Sequence, residues 1–185
     1  MKNKKIIGFD MDGVLFNFAN QFAKYYNERY RPRRFITEKD IINGDWDVNK
    51  TVGHRCNDIW NTPGFFETMP EHDGMAELFR WCYERYHTVV VTNGPHHLHN
   101  EKVNAMKRIC PDFNDWDIIF TNRKELVAVD VLVDDAPHNI LALGERAIAY
   151  AAPYNSDISC GVRVSCPEQL KRWICSNMDS KPYDK

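Results

Sequence analysis

Short apolar runs that stop abruptly at polar residues, alternating with stretches of helical spacing, constrain this chain more than any other feature. Residues 5–9 form the first run and end at Asp10. Residues 87–92 are rich in β-branched side chains and end at Asn93-Gly94-Pro95, a turn signal. Residues 116–121 and 129–133 make a third and a fourth, 146–151 a fifth, and 161–165 a weaker sixth. Between them, Met75, Leu78, Phe79, Cys82 and Tyr86 recur at three and four residues, giving 74–86 one apolar helical face. Helices are also expected over 95–110 and 137–143, each starting near a proline, and over 167–178. The alternation implies an α/β fold, a Rossmann-like parallel sheet with helices on both faces. Ligands in such sheets bind beyond the carboxyl ends of the strands.

Residues 16–70 break the rhythm. Leu15, Phe18, Ala19, Phe22 and Tyr26 share a helical spacing, a basic turn-rich patch follows at 29–34, and short segments around Trp46 and Trp60 come next. The expected organisation is a core from 1–15 and 71–185, with 16–70 inserted after the first strand as a small helical cap over the strand ends.

The bulk properties narrow the partners. With 185 residues the chain suits one domain carrying a small insertion. The 24 Lys+Arg and 26 Asp+Glu nearly cancel, leaving a net charge of −2 and no field to draw it onto nucleic acid polymers or membranes. No apolar stretch has the length of a membrane span, and none near the start resembles a signal peptide. Six cysteines lack Cys-x-x-Cys spacing, which argues against a zinc module or a disulfide framework. A reduced, cytoplasmic protein is expected.

The chemistry gathers where the runs stop. Asp10-Met11-Asp12-Gly13 follows the first, Thr92-Asn93 ends the second, and Asp134-Asp135 follows the fourth. A parallel sheet brings these ends to one edge, and four carboxylates there repel unless a cation intervenes. Hard oxygen ligands suit Mg²⁺, which neutralises a phosphate so that a carboxylate can approach phosphorus. An aspartate is then a competent nucleophile, and a second two residues on can act as acid and base. Thr92 offers a phosphate hydrogen bond and Lys124 a balancing charge. Each also has a plain reading, Thr92 as a strand-end residue and Lys124 as a solvated loop lysine. His96, His97 and His99 mark a loop or helix start near the mouth of such a site rather than a zinc centre.

These residues resemble the haloacid dehalogenase-type (HAD) phosphohydrolases: Asp10-Met-Asp12-Gly13-Val14, Thr92, Lys124 and Asp134-Asp135 stand as their four motifs. The likeness extends to one branch, the 5′(3′)-deoxyribonucleotidases of cytosolic type C. Residues 59–66 (Ile-Trp-Asn-Thr-Pro-Gly-Phe-Phe), Pro70, Gly74, 111–113 and above all 121–135 carry it, over about residues 5–139. The resemblance implies Asp10 as nucleophile and Mg²⁺ ligand. It implies Asp12 as acid/base with its carbonyl on the metal, Asp134 as the third ligand and Asp135 as support for that set. Thr92, Asn93 and Lys124 would hold phosphate, and Phe18, Trp46, Trp60 and Phe66 would line a nucleoside pocket. The aromatics equally suit cap packing, because Phe18 shares a stripe with Phe22. Asn93 stands where animal members carry serine, and Ala136 where they carry arginine.

The expected activity is Mg²⁺-dependent hydrolysis of (deoxy)nucleoside monophosphates through an aspartyl phosphate. Alternatives are a phosphatase for sugar phosphates or other metabolites, and a non-catalytic ligand-binding module. The expected partner is a small phosphomonoester, with a homodimer left open.

Overall fold

The computed structural model describes residues 5–178. Six strands form one wholly parallel sheet: β1 (Ile6–Phe9), β2 (His87–Thr92), β3 (Ile118–Phe120), β4 (Val131–Asp134), β5 (Ala147–Tyr150) and β6 (Val162–Val164). Their order is β3-β2-β1-β4-β5-β6. The order reverses direction at β1, between β2 and β4, which puts the switch point where Asp10 leaves the sheet.

Both faces of the sheet are buried, and strand periodicity decides which side chain goes where. Ile7, Phe9, Val90, Val133 and Ile148 enter one apolar cluster, whereas Val91, Leu132, Ala147 and Ala149 enter another on the opposite face. The larger cluster is covered by α5 (Met75–Arg85), α6 (His99–Ile109) and α8 (Pro167–Asn177). The smaller is covered by α7 (Pro137–Leu143), whose Ile140 and Leu143 are buried. Each of the six expected strands exists: the second spans 87–92 as expected, the fourth starts two residues later and ends one later, and the others are shorter. The third shows most clearly why: Asp115–Asp117 forms a 3₁₀ turn under the Asn114 cap, and exposed Trp116 lies outside the sheet.

Residues between β1 and α5 add no strand to the sheet. They hold four helices, α1 (Phe18–Tyr30), α2 (Glu38–Ile42), α3 (Val48–Val52) and α4 (Asn57–Trp60). The first is capped by Asn17, whose Oδ1 accepts from Asn20 N (3.0 Å), so Leu15 precedes the helix rather than sharing its face. Leu15 is nevertheless fully buried. Asn27 clamps the returning chain through bonds to both backbone groups of Ile36, and buried Gln21 reaches Phe65 O at 2.7 Å. The segment leaves and rejoins the core at one neck, where Asn17 N meets Pro70 O (2.7 Å) and His72 N meets Leu15 O (3.0 Å). Its Phe22, Tyr26, Ile41 and Ile59 belong to the same apolar cluster as β1.

Phe79 is central to that cluster, fully buried, edge-on to Phe9 at 5.5 Å and stacked on Tyr83. Truncating so large a buried ring removes transfer energy and leaves a void. Phe79→Ala is expected to lower unfolding free energy by about 3–5 kcal/mol, read as a reduced urea midpoint with an unchanged slope.

Candidate active site

Beyond the carboxyl ends of β1, β2 and β4 lies a cavity of about 580 Å³. Asp10, Asp12, Asn93, Lys124 and Asp135 contribute to its floor, while Phe18, Trp46, Trp60 and Phe66 contribute to its walls. Thr92 and Asp134 are fully buried and bonded to floor residues: Thr92 Oγ1 donates to Asn93 O (3.3 Å) and Asp134 accepts from Lys124. The structure therefore brings every expected site residue to one place.

The turn after β1 explains its glycine. Gly13 has φ +83°, and a Cβ there would fall 2.3 Å from Asp135 Oδ2. Only glycine tolerates both the backbone and the approach of a second strand's carboxylate. Asp10 N is bonded to Val133 O (2.8 Å), which ties the turn to β4.

Lys124 sits in a short 3₁₀ turn and is 4% exposed, so it is no solvated loop lysine. Its Nζ lies 2.7 Å from Asp10 Oδ1 and 2.8 Å from Asp134 Oδ2. Burial alone would depress the ammonium's pKa, but the two carboxylates outweigh it and push it above its ordinary value. Asp10 Oδ1 also accepts from Met11 N at 2.6 Å, and the other oxygen, Oδ2, takes no hydrogen bond among the described residues. Burial raises the Asp10 carboxyl to about 7; Lys124 opposes this, while Asp134 and Asp12 reinforce it. Asp135 is raised too, by burial first and then by Asp10 and Asp134.

Asp10, Asp134 and Asp135 each offer an oxygen within 4.8 Å of the others, all three buried. This crowd of hard, repelling donors fits a divalent cation such as Mg²⁺. The hydrogen bonds distinguish the paired aspartates. Asp134 accepts from Lys124 Nζ, from Ala136 N (2.9 Å) and at both oxygens from Asn139 Nδ2 (3.1 Å each). Asp135 faces the cavity, and among the described residues its carboxylate accepts only from the Tyr154 hydroxyl, at Oδ2. Asp134 is thus the more fully hydrogen-bonded of the pair and Asp135 the one that lines the cavity, while all three aspartates can offer an oxygen to a metal.

Four aromatics serve in unequal ways. Phe18 and Trp60 pack on the apolar cluster and on each other (6.4 Å), while still facing the cavity. Phe66 is almost fully buried, whereas Trp46 is 45% exposed and meets His138 edge-on at 4.6 Å. Ala136 also faces the cavity. The histidine cluster does not: the adjoining wall ends at Pro95, and His99 is spent stacking on Phe120 at 3.6 Å.

Sequence reasoning missed Lys102, Asn139 and Tyr154. Lys102 is 1% exposed, and its Nζ donates to Asp12 Oδ2 (2.5 Å) and Thr92 Oγ1 (2.9 Å). A signal existed. Lys102 shares the buried stripe of α6 with Ala105, Met106 and Ile109, an odd place for a lysine without a partner. For Asn139 and Tyr154 no comparable signal is visible.

A family model described as 5' nucleotidase, deoxy (pyrimidine), cytosolic type C protein matches residues 4–177. The chain is 25% identical over 173 residues to the 5'(3')-deoxyribonucleotidase of Bacillus subtilis (strain 168), covering 91% of this chain and 98% of that one. It is 27% identical over 165 residues to the 5'(3')-deoxyribonucleotidase of Clostridium acetobutylicum, covering 87% and 89%. Its fold is similar to that of a HAD family hydrolase from Deinococcus radiodurans R1 solved with phosphate and sodium (TM-score 0.63, 12% identity, 94% and 96% covered). It is also similar to YfnB of Bacillus subtilis, described as a HAD-type hydrolase candidate and solved with magnesium (TM-score 0.57, 14% identity, 94% and 99% covered).

The raised Asp10 has a thermodynamic consequence. Folded Asp10 keeps its proton up to about pH 7, whereas an unfolded aspartate releases it near ~4. Stability linked to this group is therefore greatest at acid pH and lost as pH rises toward the folded value. In metal-free protein, Asp10→Asn is expected to raise Tm over the unsubstituted chain at pH 8 and hardly at pH 4.5. Scanning calorimetry in EDTA checks this, and an equal shift at both pH values would contradict it.

Proposed function

The chain belongs to the 5' nucleotidase, deoxy (pyrimidine), cytosolic type C family of phosphomonoester hydrolases, and on that premise we propose that it dephosphorylates (deoxy)nucleoside monophosphates with Mg²⁺ through a phosphorylated Asp10. One observation carries the reading. Asp10 is fixed through Oδ1 by Lys124 and Met11 N at the floor of an aromatic-walled cavity, leaving Oδ2 to attack.

In the first half, Asp10 Oδ2 forms a bond to phosphorus as the ester P–O bond breaks. The departing nucleoside oxygen takes the bond's electron pair and a proton from the Asp12 carboxyl. In the second half, Asp12 takes a proton from water while the water oxygen attacks phosphorus. The Asp10–phosphate bond breaks, releasing inorganic phosphate and restoring both aspartates. Lys124 offsets charge on the transferring group, and Thr92 and Asn93 donate to its oxygens. Asp10, Asp135 and the Asp12 carbonyl would hold Mg²⁺, with Asp134 orienting Lys124. When bound there, Mg²⁺ neutralises the phosphate dianion toward an anionic nucleophile.

The segment 16–70 acts in this reading as the cap, and Phe18, Trp46, Trp60 and Phe66 take the nucleoside. Stacking of a base on an aromatic face contributes about 1–3 kcal/mol. The 580 Å³ cavity is large enough for a mononucleotide.

Purified protein with Mg²⁺ is expected to release phosphate from dUMP or dTMP at least tenfold faster than from sugar phosphates. EDTA is expected to stop the release, and Asp10→Asn to reduce it by about a thousandfold or more, since the attacking carboxylate is lost. A panel showing turnover of sugar phosphates alone would overturn the substrate, and binding without turnover would overturn the activity.

A further inference from the structure

Lys102 is the one buried charge near the site to which the mechanism above gives no task. Its ammonium lies beneath the Phe66 ring, 4.4 Å from the centroid. The preceding residue keeps that ring in position: Glu101 accepts from Gly64 N (2.6 Å) and Phe66 N (3.2 Å). Gly94 leaves room for the lysine stem, since a Cβ there would stand 3.0 Å from Cε. Three separate elements thus shape a dry slot around a single ammonium.

Such a slot is a poor way to gain stability. Taking an ammonium and a carboxylate out of water costs about what their attraction returns, and apolar replacements often do as well. The contacts point elsewhere. Lys102 is the only hydrogen-bond partner of the Asp12 carboxyl among the described residues, because Oδ1 is buried and has none. The direction in which that carboxyl points therefore depends on Lys102. The same ammonium donates to Thr92 Oγ1, whose own proton goes to Asn93 O (3.3 Å), so the lysine also ties Asp12 to the end of β2.

We propose that Lys102 is a positioning residue that aims the Asp12 carboxyl at the leaving oxygen. The inference rests on the nucleotidase reading, in which the Asp12 carboxyl gives its proton to the departing nucleoside and regains one from water. Lys102 remains bonded to Oδ2 in both halves and neither gains nor loses a proton. Its effect falls on the step in which a poor leaving group needs that proton.

Leaving-group dependence tests this. p-Nitrophenolate departs without a proton at neutral pH, whereas a nucleoside alkoxide does not. With enzyme in excess over substrate and Mg²⁺ present, the first turnover isolates bond cleavage from hydrolysis of the intermediate. Lys102→Met is expected to slow nucleoside release from dUMP by about ten- to a hundredfold, within the range that general acids contribute. Nitrophenolate release from p-nitrophenyl phosphate should slow by less than about threefold. Lys102→Arg keeps the buried charge and safeguards folding, and is expected to show the same selectivity in smaller degree. Equal slowing of both substrates in the folded variants, or of neither, would overturn the assignment. Wild-type protein that releases no nucleoside, or Asp12→Asn without leaving-group selectivity, would instead overturn the nucleotidase mechanism, and the Lys102 inference with it.

Discussion

The bridge of Lys124 between Asp10 and Asp134 is the interaction on which the site depends. Three strands deliver carboxylates or their partners to one dry edge, and without a shared cation their repulsion would oppose the register that aligns them. The ammonium joins the end of β1 to the end of β4 from a turn that follows β3, so the ends of distant elements are tied by one group. Asn139, on the first turn of α7, fills the remaining positions around Asp134. Burial first, and then the negative charge that survives, raises Asp10 and Asp135, and that surviving charge makes the place receptive to a divalent cation.

The cavity above is chemically lopsided. At its floor, Lys124 is the sole ammonium among the lining residues, whereas the helical segment contributes Glu38, Asp45 and Asp47 alongside its aromatic rings. A ligand with one anionic end and an uncharged, planar, hydrogen-bonding remainder matches that distribution. The rings do two jobs at once: Phe18 and Trp60 are continuous with the core cluster and also face the cavity, so packing and recognition share the same side chains.

The sheet was legible because strand periodicity and punctuation are local: β-branched runs such as 87–92 end at turn residues, whatever surrounds them. Asp10, Asp12, Thr92 and Asp134 could be named because each sits at or just beyond such an end, whereas Lys124, in the turn between β3 and β4, was marked by the family resemblance. What could not be read was contact across the chain. Lys102 lies ninety residues from Asp12 in a helix of ordinary appearance, and only its place on the apolar stripe betrays it. Asp134 and Asp135 are adjacent and chemically alike. Their separate parts follow from strand pleat, which turns one toward Lys124 and Asn139 and the other toward the cavity and Tyr154. Likewise His96, His97 and His99 were expected at a loop or helix start near the mouth of the site, and Phe120 instead holds His99 by stacking.

The neck at Leu15–Asn17 and Pro70–His72 has a consequence for how such a molecule can vary. Because the two crossings are hydrogen-bonded to each other, the sheet experiences everything between them as one closed loop whose ends are already fixed. The entropy of closing a loop grows only logarithmically, about 0.6 kcal/mol for each doubling of its length. Residues can therefore be added or removed above the neck at little cost to the strands below it. Ligand-facing surface is free to diverge while the strand-end carboxylates are left where they are.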